Sequence, residues 1–235
     1  MSGETSEMLS IVIPACNEEK RIKATLEKLL RFLNKARLKS EVIVVNNGED
    51  DTWRVVKEFV ERDSRVRLID FRKPLGKGRA LKEGFKAAHG DVLTFDADAS
   101  MPPKEIPKLL KALKDCDVVI ASRRLPESSV SGIPPHRKTA SATFALLVKL
   151  VGGLPYSDTQ CGFKLFRRSA LKKMLSLMRE SGFAWDVEML YLARRLKLKV
   201  REVPVEWSYA SGGSVSPGAA AKMVLDLLIL RARFG

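Results

Sequence analysis

Five short β-branched and aliphatic runs, each followed by a helical pattern, constrain this chain more than any other feature. The runs are Leu9 to Pro14, Val42 to Val45, Val66 to Ile69, Val92 to Phe95 and Val118 to Ala121. Between the first two, Ile22, Leu26, Leu29, Leu30 and Leu33 recur at helical spacing. Trp53, Val56, Phe59 and Val60 do the same, as do Ala80 to Ala88 and Ile106 to Leu113. Strands buried on both faces read as continuous apolar runs, so the alternation predicts an α/β fold with a mostly parallel central sheet and helices on both faces. After Arg124 a loop rich in Ser, Gly and Pro, Pro126 to Pro135, interrupts the pattern. Helix Thr139 to Val151, strand Phe163 to Phe166, helices Ser169 to Met178 and Asp186 to Leu196, strand Val200 to Val205 and helix Ala219 to Phe234 follow. With 235 residues and 45% hydrophobic content, one core is expected. The predicted organisation is a poorly ordered segment 1–8, a domain 9–217 and a terminal helix 218–235.

In open α/β sheets ligands bind beyond the carboxyl ends of the strands. The polar loops fall there: Asn17-Glu18, Asn46-Asn47-Gly48, Asp96-Ala97-Asp98 and Ser122-Arg123-Arg124. Alternation along a strand returns second neighbours to one face, which sends Asp96 and Asp98 into a common crevice. Two such carboxylates repel unless a cation lies between them, and Mg²⁺ or Mn²⁺ bridging a diphosphate suits hard oxygen ligands. The competing reading is a pair of solvated turn aspartates. Gly76-Lys77-Gly78-Arg79 lacks the third glycine of a dinucleotide fingerprint, because Leu81 occupies it, and is no Walker loop. It reads as a turn presenting Lys77 to a substrate phosphate at a helix start, or as an ordinary basic turn.

Forty-two Lys and Arg against 28 Asp and Glu give a formal charge of +14, which favours anionic partners: phosphorylated substrates, a membrane surface or nucleic acid. No basic sheet with interleaved aromatics supports nucleic-acid binding, so that class is set aside. Cys16, Cys116 and Cys161 are odd in number and lack metal-ligand spacing, which suits reduced thiols in the cytosol. Residues 1–8 lack a signal-peptide layout, and no apolar run reaches bilayer length, so a soluble or peripheral protein is expected. Met223, Val224, Leu225, Leu227, Leu228, Ile229 and Leu230 are apolar nearly all round, with Arg231 and Arg233 beyond them. That helix suits either a membrane surface or the protein's own core.

Six motifs stand in a telling order: Ile11 to Glu19, Gly76-Lys77-Gly78, Asp96-Ala97-Asp98, Ser122-Arg123, Asp158 to Phe166 and Trp185 to Leu190. Together they resemble the family-2 inverting glycosyltransferases, and within them the dolichyl-phosphate glucosyltransferases and mannosyltransferases. The resemblance runs from Ile11 almost to the C-terminus and implies a nucleotide-diphospho-sugar transferase fold, GT-A-like and Rossmann-related. It puts the nucleotide on Pro14, Ala15, Glu18 and the Asn46 loop, and the metal on Asp98 with Asp96 nearby, Ala97 between them. Diphosphate or acceptor phosphate falls to Lys77, Arg123 and Lys164, with Gln160 in the same substrate region, and an acceptor-phosphate pair to Arg137 and Ser141. Asp186 joins Asp98, Arg123 and Lys164 as a catalytic candidate. Three departures matter: Cys16 stands where Tyr is usual and Asn46-Asn47 where Asp-Asp is usual, which bears on the base, and Ser100 stands where some relatives have Gln, a place that could ligate metal. The activity implied is metal-dependent transfer of a hexose, foremost glucose from UDP-glucose, to a polyprenyl or dolichyl phosphate. Mannosyl transfer from GDP-mannose and transfer to a hydroxyl acceptor are the alternatives. The expected place of work is the cytoplasmic face of a membrane, held peripherally on an anionic surface.

Overall fold

The computed structural model describes residues 8–180, 182, 184–210 and 217–234, with the side chains at 136, 137, 140, 144, 150, 217 and 219–221 left aside. Strand β1 (Leu9–Ala15) pairs in parallel with β2 (Ser40–Asn46) on one side and β4 (Asp91–Thr94) on the other. Beyond β2 lies β3 (Val66–Asp70), also parallel. Strand β5 (Val118–Ser122) pairs in parallel with β8 (Val200–Pro204). Between β4 and β5 the short β7 (Lys164–Phe166) runs antiparallel to both, giving the order β3-β2-β1-β4-β7-β5-β8. The sheet is mostly parallel, as the alternation predicts.

Two apolar layers cover it. On one face α1 (Ile22–Ala36), α2 (Thr52–Arg62) and α4 (Ile106–Leu113) bury Leu26, Leu29, Val56 and Leu109 against Ile11, Ile13, Val44 and Val119. On the other, α3 (Lys77–Ala87), α6 (Arg168–Leu175) and α7 (Trp185–Arg195) bury Leu81, Phe85, Leu171, Trp185 and Leu190 against Val12, Ile43 and Phe166. Every residue of β2 and β5 is buried, which is why these strands carry no polar alternation. Gly84 lets α3 approach this closely, since a Cβ there would lie 2.3 Å from a Val12 methyl.

Helices α5 (Pro135–Gly152) and α8 (Pro217–Phe234) pack together at the edge of the second layer. The Tyr191 hydroxyl donates to the Gly152 carbonyl at 2.6 Å, fastening α7 to the end of α5. Leu227 and Leu230 of α8 belong to the second core layer, so one side of this helix packs on the protein's own core. Its other side is bare: Leu225, Leu228 and Ile229 are more than half exposed, as is Leu146 of α5. A two-stranded ribbon of β6 (Ser129–Ser131) and β9 (Glu206–Ser208) completes the described elements. Residues 1–7, the bulk of the segment expected to be poorly ordered, lie outside the described residues.

Candidate active site

The acidic pair sits differently from a strand end. Strand β4 stops at Thr94, and Asp96 to Asp98 occupy the turn beyond it. The Phe95 amide still donates to the Val12 carbonyl at 2.9 Å, and its ring meets Phe163 edge-on, which anchors the turn in the core. Thr94 fixes it from the other side: its hydroxyl donates to the Gly162 carbonyl and accepts the Lys164 amide at 3.0 Å. Asp98 Oδ1 accepts the Ser100 amide at 2.9 Å, and Ala99 between them holds a φ of 56°. The buried Ala97 has its carbonyl capped by the Thr25 hydroxyl at 2.7 Å.

Lys77 begins α3, and its ammonium meets Asp96 Oδ1 at 2.6 Å. Gly76 before it takes a φ of 83°, a conformation that favours glycine. Burial disfavours the Lys77 ammonium, but the charges of Asp96 and Asp186 outweigh burial and hold its pKa above the ordinary lysine value. For Asp96 burial acts upward, and Lys77 with Lys164 and Arg123 overcomes it, leaving the carboxyl below its usual range. Gly162 makes room for Asp96, because a Cβ there would lie 2.5 Å from Asp96 Oδ2. Glu18 lies within the field of both aspartates: burial raises its pKa first, and Asp98 and Asp96 add to the rise against the Arg21 bonds at 2.6 and 2.7 Å. Among the described residues no group of three or more His, Cys, Asp or Glu forms a complete metal cage. The donor set nonetheless fits a hard divalent ion that takes its remaining oxygens from a diphosphate and water, since Mg²⁺ is commonly held by one or two carboxylates plus phosphate.

At the end of β5, Arg123 is clamped by Asp158, which accepts its backbone amide at 3.0 Å, Nε at 2.7 Å and Nη2 at 3.0 Å. Burial opposes the guanidinium charge, yet the Asp158 bonds prevail and raise its pKa; Asp158 is correspondingly lowered despite its own burial. The guanidinium lies 5.4 Å from the Trp207 ring centroid. Gln160, expected to touch substrate, donates its backbone amide to Asp158 Oδ1 at 3.2 Å and so helps close this turn. Ser141 of α5 is engaged by Arg124, whose Nη2 reaches its carbonyl at 2.8 Å and its hydroxyl at 2.9 Å. Arg137 falls on α5, and its side chain lies outside the described residues.

Lys164 corrects its expected role. It is fully buried, and its ammonium donates to the carbonyls of Thr159 at 3.1 Å and Cys161 at 2.6 Å and to Asp186 Oδ1. Three donors meet three acceptors, so Lys164 holds the 159–161 loop and Asp186 in place and has no hydrogen left for a diphosphate. Asp186, in the first turn of α7, has its pKa raised by burial, which Lys164 and Lys77 only partly offset. Glu188, one turn on, accepts the amides of Arg179 and Glu180 at 2.8 and 2.9 Å and pins the loop before α7. Thr159 Oγ1 and Trp185 Nε1 are buried with no hydrogen-bond partner among the described residues.

At the carboxyl ends of β1 and β2, Asn17 holds a φ of 58° and its Oδ1 accepts the Glu49 amide at 2.9 Å, stitching the β1 loop to the β2 loop. Gly48 permits this crossing, since a Cβ there would lie 2.4 Å from the Asn17 nitrogen. Pro14 and Ala15 close β1, and Glu18 donates its amide to the Thr52 hydroxyl at 2.8 Å. Asn46 is fully buried; its Oδ1 accepts the Gly48 amide at 3.3 Å and its Nδ2 donates to Asp70 Oδ1 at 2.9 Å. Sequence reasoning passed over Asp158 and Asp70. Asp158 stands two residues before Gln160 in a motif already singled out, and Asp70 ends a strand whose carboxyl end faces the same side as the others.

The model of the family described as glycosyl transferase family 2 matches residues 10–175. A dolichyl-phosphate beta-glucosyltransferase of Trichomonas vaginalis is 36% identical, over 94% of this chain and 72% of that protein. The Homo sapiens and Saccharomyces cerevisiae proteins of the same description are 32% and 30% identical, over 97% and 95% of this chain and 76% and 74% of theirs. Among solved structures, glucosyl-3-phosphoglycerate synthase from Mycobacterium tuberculosis, in complex with Mn²⁺, uridine diphosphate and glucosyl-3-phosphoglycerate, aligns with a TM-score of 0.70 at 22% identity. That alignment covers 97% of this chain and 81% of the other, and establishes a shared GT-A fold.

Proposed function

This chain belongs to glycosyltransferase family 2, and from that premise we propose that it transfers glucose from UDP-glucose to a dolichyl-type polyprenyl phosphate, with inversion at the anomeric carbon. The observation that carries the reading is the convergence of Asp96, Asp98, Lys77 and the Arg123–Asp158 clamp at adjoining loops, in a chain so similar to dolichyl-phosphate beta-glucosyltransferases. Asp98, with Asp96 beside it, would hold Mg²⁺ or Mn²⁺, which when bound neutralises charge on the leaving diphosphate.

Lys77 and Arg123 are the cations this chain itself supplies. Each is locked by a carboxylate, so each presents a fixed positive field and needs little reorganisation as charge develops on the departing UDP. One acceptor phosphate oxygen forms a bond to the anomeric carbon from the far side. The bond from that carbon to the diphosphate oxygen breaks, and UDP leaves with the electron pair. Inversion of an α-linked donor gives a β-linked lipid phosphate sugar. Asp186, held by Lys164, fixes the 159–161 loop rather than removing a proton, because a phosphate monoester with a second pKa of about 6 is already largely dianionic at neutral pH.

The raised pKa of buried Asp186 favours one second reading, proton removal from a hydroxyl acceptor. A membrane surface is the proposed location: Leu146, Leu225, Leu228 and Ile229 stand exposed near Arg231 and Arg233. No helix among the described residues is long and apolar enough to cross a bilayer. The test is direct. Purified protein, Mg²⁺ or Mn²⁺ and dolichyl phosphate are incubated with labelled UDP-glucose, UDP-galactose and GDP-mannose. Glucolipid formed only with divalent metal is the expected product. Transfer solely from GDP-mannose, or none to the lipid phosphate, overturns the reading.

A further inference from the structure

Ala15, Asn46 and Asp70 are register partners across β1, β2 and β3, and each is the last residue of its strand. Partners in neighbouring strands point to one face, so these three side chains form a row at the carboxyl end of the sheet. Ala15 offers only a methyl group. Asn46 is fully buried, with Oδ1 taking the Gly48 amide and one Nδ2 hydrogen given to Asp70. Asp70 is different. Its Oδ1 accepts from Asn46 and its Oδ2 from Arg72 Nε at 2.7 Å, and each carboxylate oxygen keeps a second lone pair. Its side chain is 20% exposed, enough to meet a ligand.

The surroundings fit a flat heterocycle. Arg72 holds a φ of 46°, outside the ordinary range for a long side chain, and its guanidinium lies 3.9 Å from the Trp53 ring centroid. This stack makes a planar wall beside Asp70, on the same part of the sheet where Cys16 provides no ring. Asn47, next to the row and 3% exposed, has a buried Oδ1 with no partner among the described residues, a second acceptor at this strand end.

We propose that Asp70, held by Asn46 and Arg72, is the group that reads the donor base, accepting the imide N–H of uracil. The inference rests on the uridine-diphosphate donor reading above. A carboxylate demands a donor from its ligand: uracil presents N3–H there, whereas cytosine presents a bare N3 acceptor. Selectivity between the two pyrimidines therefore comes foremost from β3, whose carboxylate accepts with the full charge that an Asn47 amide oxygen lacks.

The test titrates UDP, CDP and 3-methyl-UDP calorimetrically into wild-type protein and Asp70→Asn, with Mn²⁺ present. Wild type should bind UDP about 10- to 100-fold more tightly than CDP or 3-methyl-UDP, the range for one hydrogen bond to a charged group. Asp70→Asn should lose most of that ratio, since a carboxamide can turn its N–H toward cytosine. Its KM for UDP-glucose should rise with little change in kcat. A variant with wild-type circular dichroism and an unchanged UDP-to-CDP ratio overturns the proposal. Equal binding of UDP and 3-methyl-UDP by wild type overturns it without any variant. Absence of binding by every nucleoside diphosphate defeats the donor reading itself, and the proposal with it.

Discussion

Replacing Asp186 by Asn separates what this carboxylate does for the fold from what it does for the reaction. Lys164 is fully buried and Asp186 is 6% exposed, so the substitution removes the carboxylate that, among the described residues, is bonded to the Lys164 ammonium. Stranding one member of such a pair costs about 3–5 kcal/mol. The Thr159 and Cys161 carbonyls at 3.1 and 2.6 Å remain, and an Asn carbonyl still accepts, which places the expected loss near the lower end, about 3 kcal/mol. For a chain of this size that lowers Tm by about 6–12 °C. Lys164→Met with Asp186→Leu should recover much of it, because apolar replacement of a buried pair is often neutral. Catalysis is read separately, as kcat from pH 5 to 9 at a temperature well below the variant's transition. If the acceptor is a lipid phosphate, Asp186→Asn keeps kcat within about tenfold, and any acidic limb, set by the acceptor's ionisation near about pH 6, persists. If Asp186 is a base, its raised pKa puts a limb above the ordinary carboxylate range, with rate lost as pH falls through it. A kcat loss of several hundredfold, with that limb gone, matches the typical 10²–10⁴-fold contribution of a base and refutes the phosphate-acceptor mechanism.

Other outcomes follow from neighbouring groups. Asp98→Ala removes one hydrogen bond, from the Ser100 amide, so stability should change by no more than about 1 kcal/mol while metal-dependent transfer falls at least about 100-fold; full activity in excess chelator sinks the metal assignment. Asp158 has a lowered pKa, so the stability it contributes is complete above the ordinary carboxylate value of about 3.9 and is lost as pH falls through its folded value. Denaturant midpoints from pH 7 to 2 should therefore fall less steeply in Asp158→Asn than in wild type, and parallel curves would contradict the assignment. Leu225, Leu228 and Ile229 are 57%, 51% and 51% exposed, so changing all three to Glu should leave Tm within a few degrees. Co-sedimentation with anionic vesicles should drop about 100-fold, from about 1 kcal/mol of lipid burial per side chain, and unchanged vesicle binding argues for another docking surface.

The sequence by itself determined the layers of this protein. Continuous apolar runs such as Val42 to Val45 must be buried on both sides, and the amphipathic stretches between them can only lie on a sheet's faces. The strand-end rule then put Asp96-Ala97-Asp98 just past a strand, because the strand and the acidic stretch are contiguous in the chain. What depends on contacts between distant residues was decided only by tertiary structure. The antiparallel insertion of β7 follows from where its short strand finds open edges on β4 and β5, and β6 with β9 are three-residue strands too brief to show a pattern. A lysine is read from sequence as a surface cation, yet Lys164 is buried because Asp186, 22 positions away, and two carbonyls replace its water. The strand order likewise set Asn46 beside Asp70: register, not proximity in the chain, brought the Asn46 amide onto the carboxylate that ends β3.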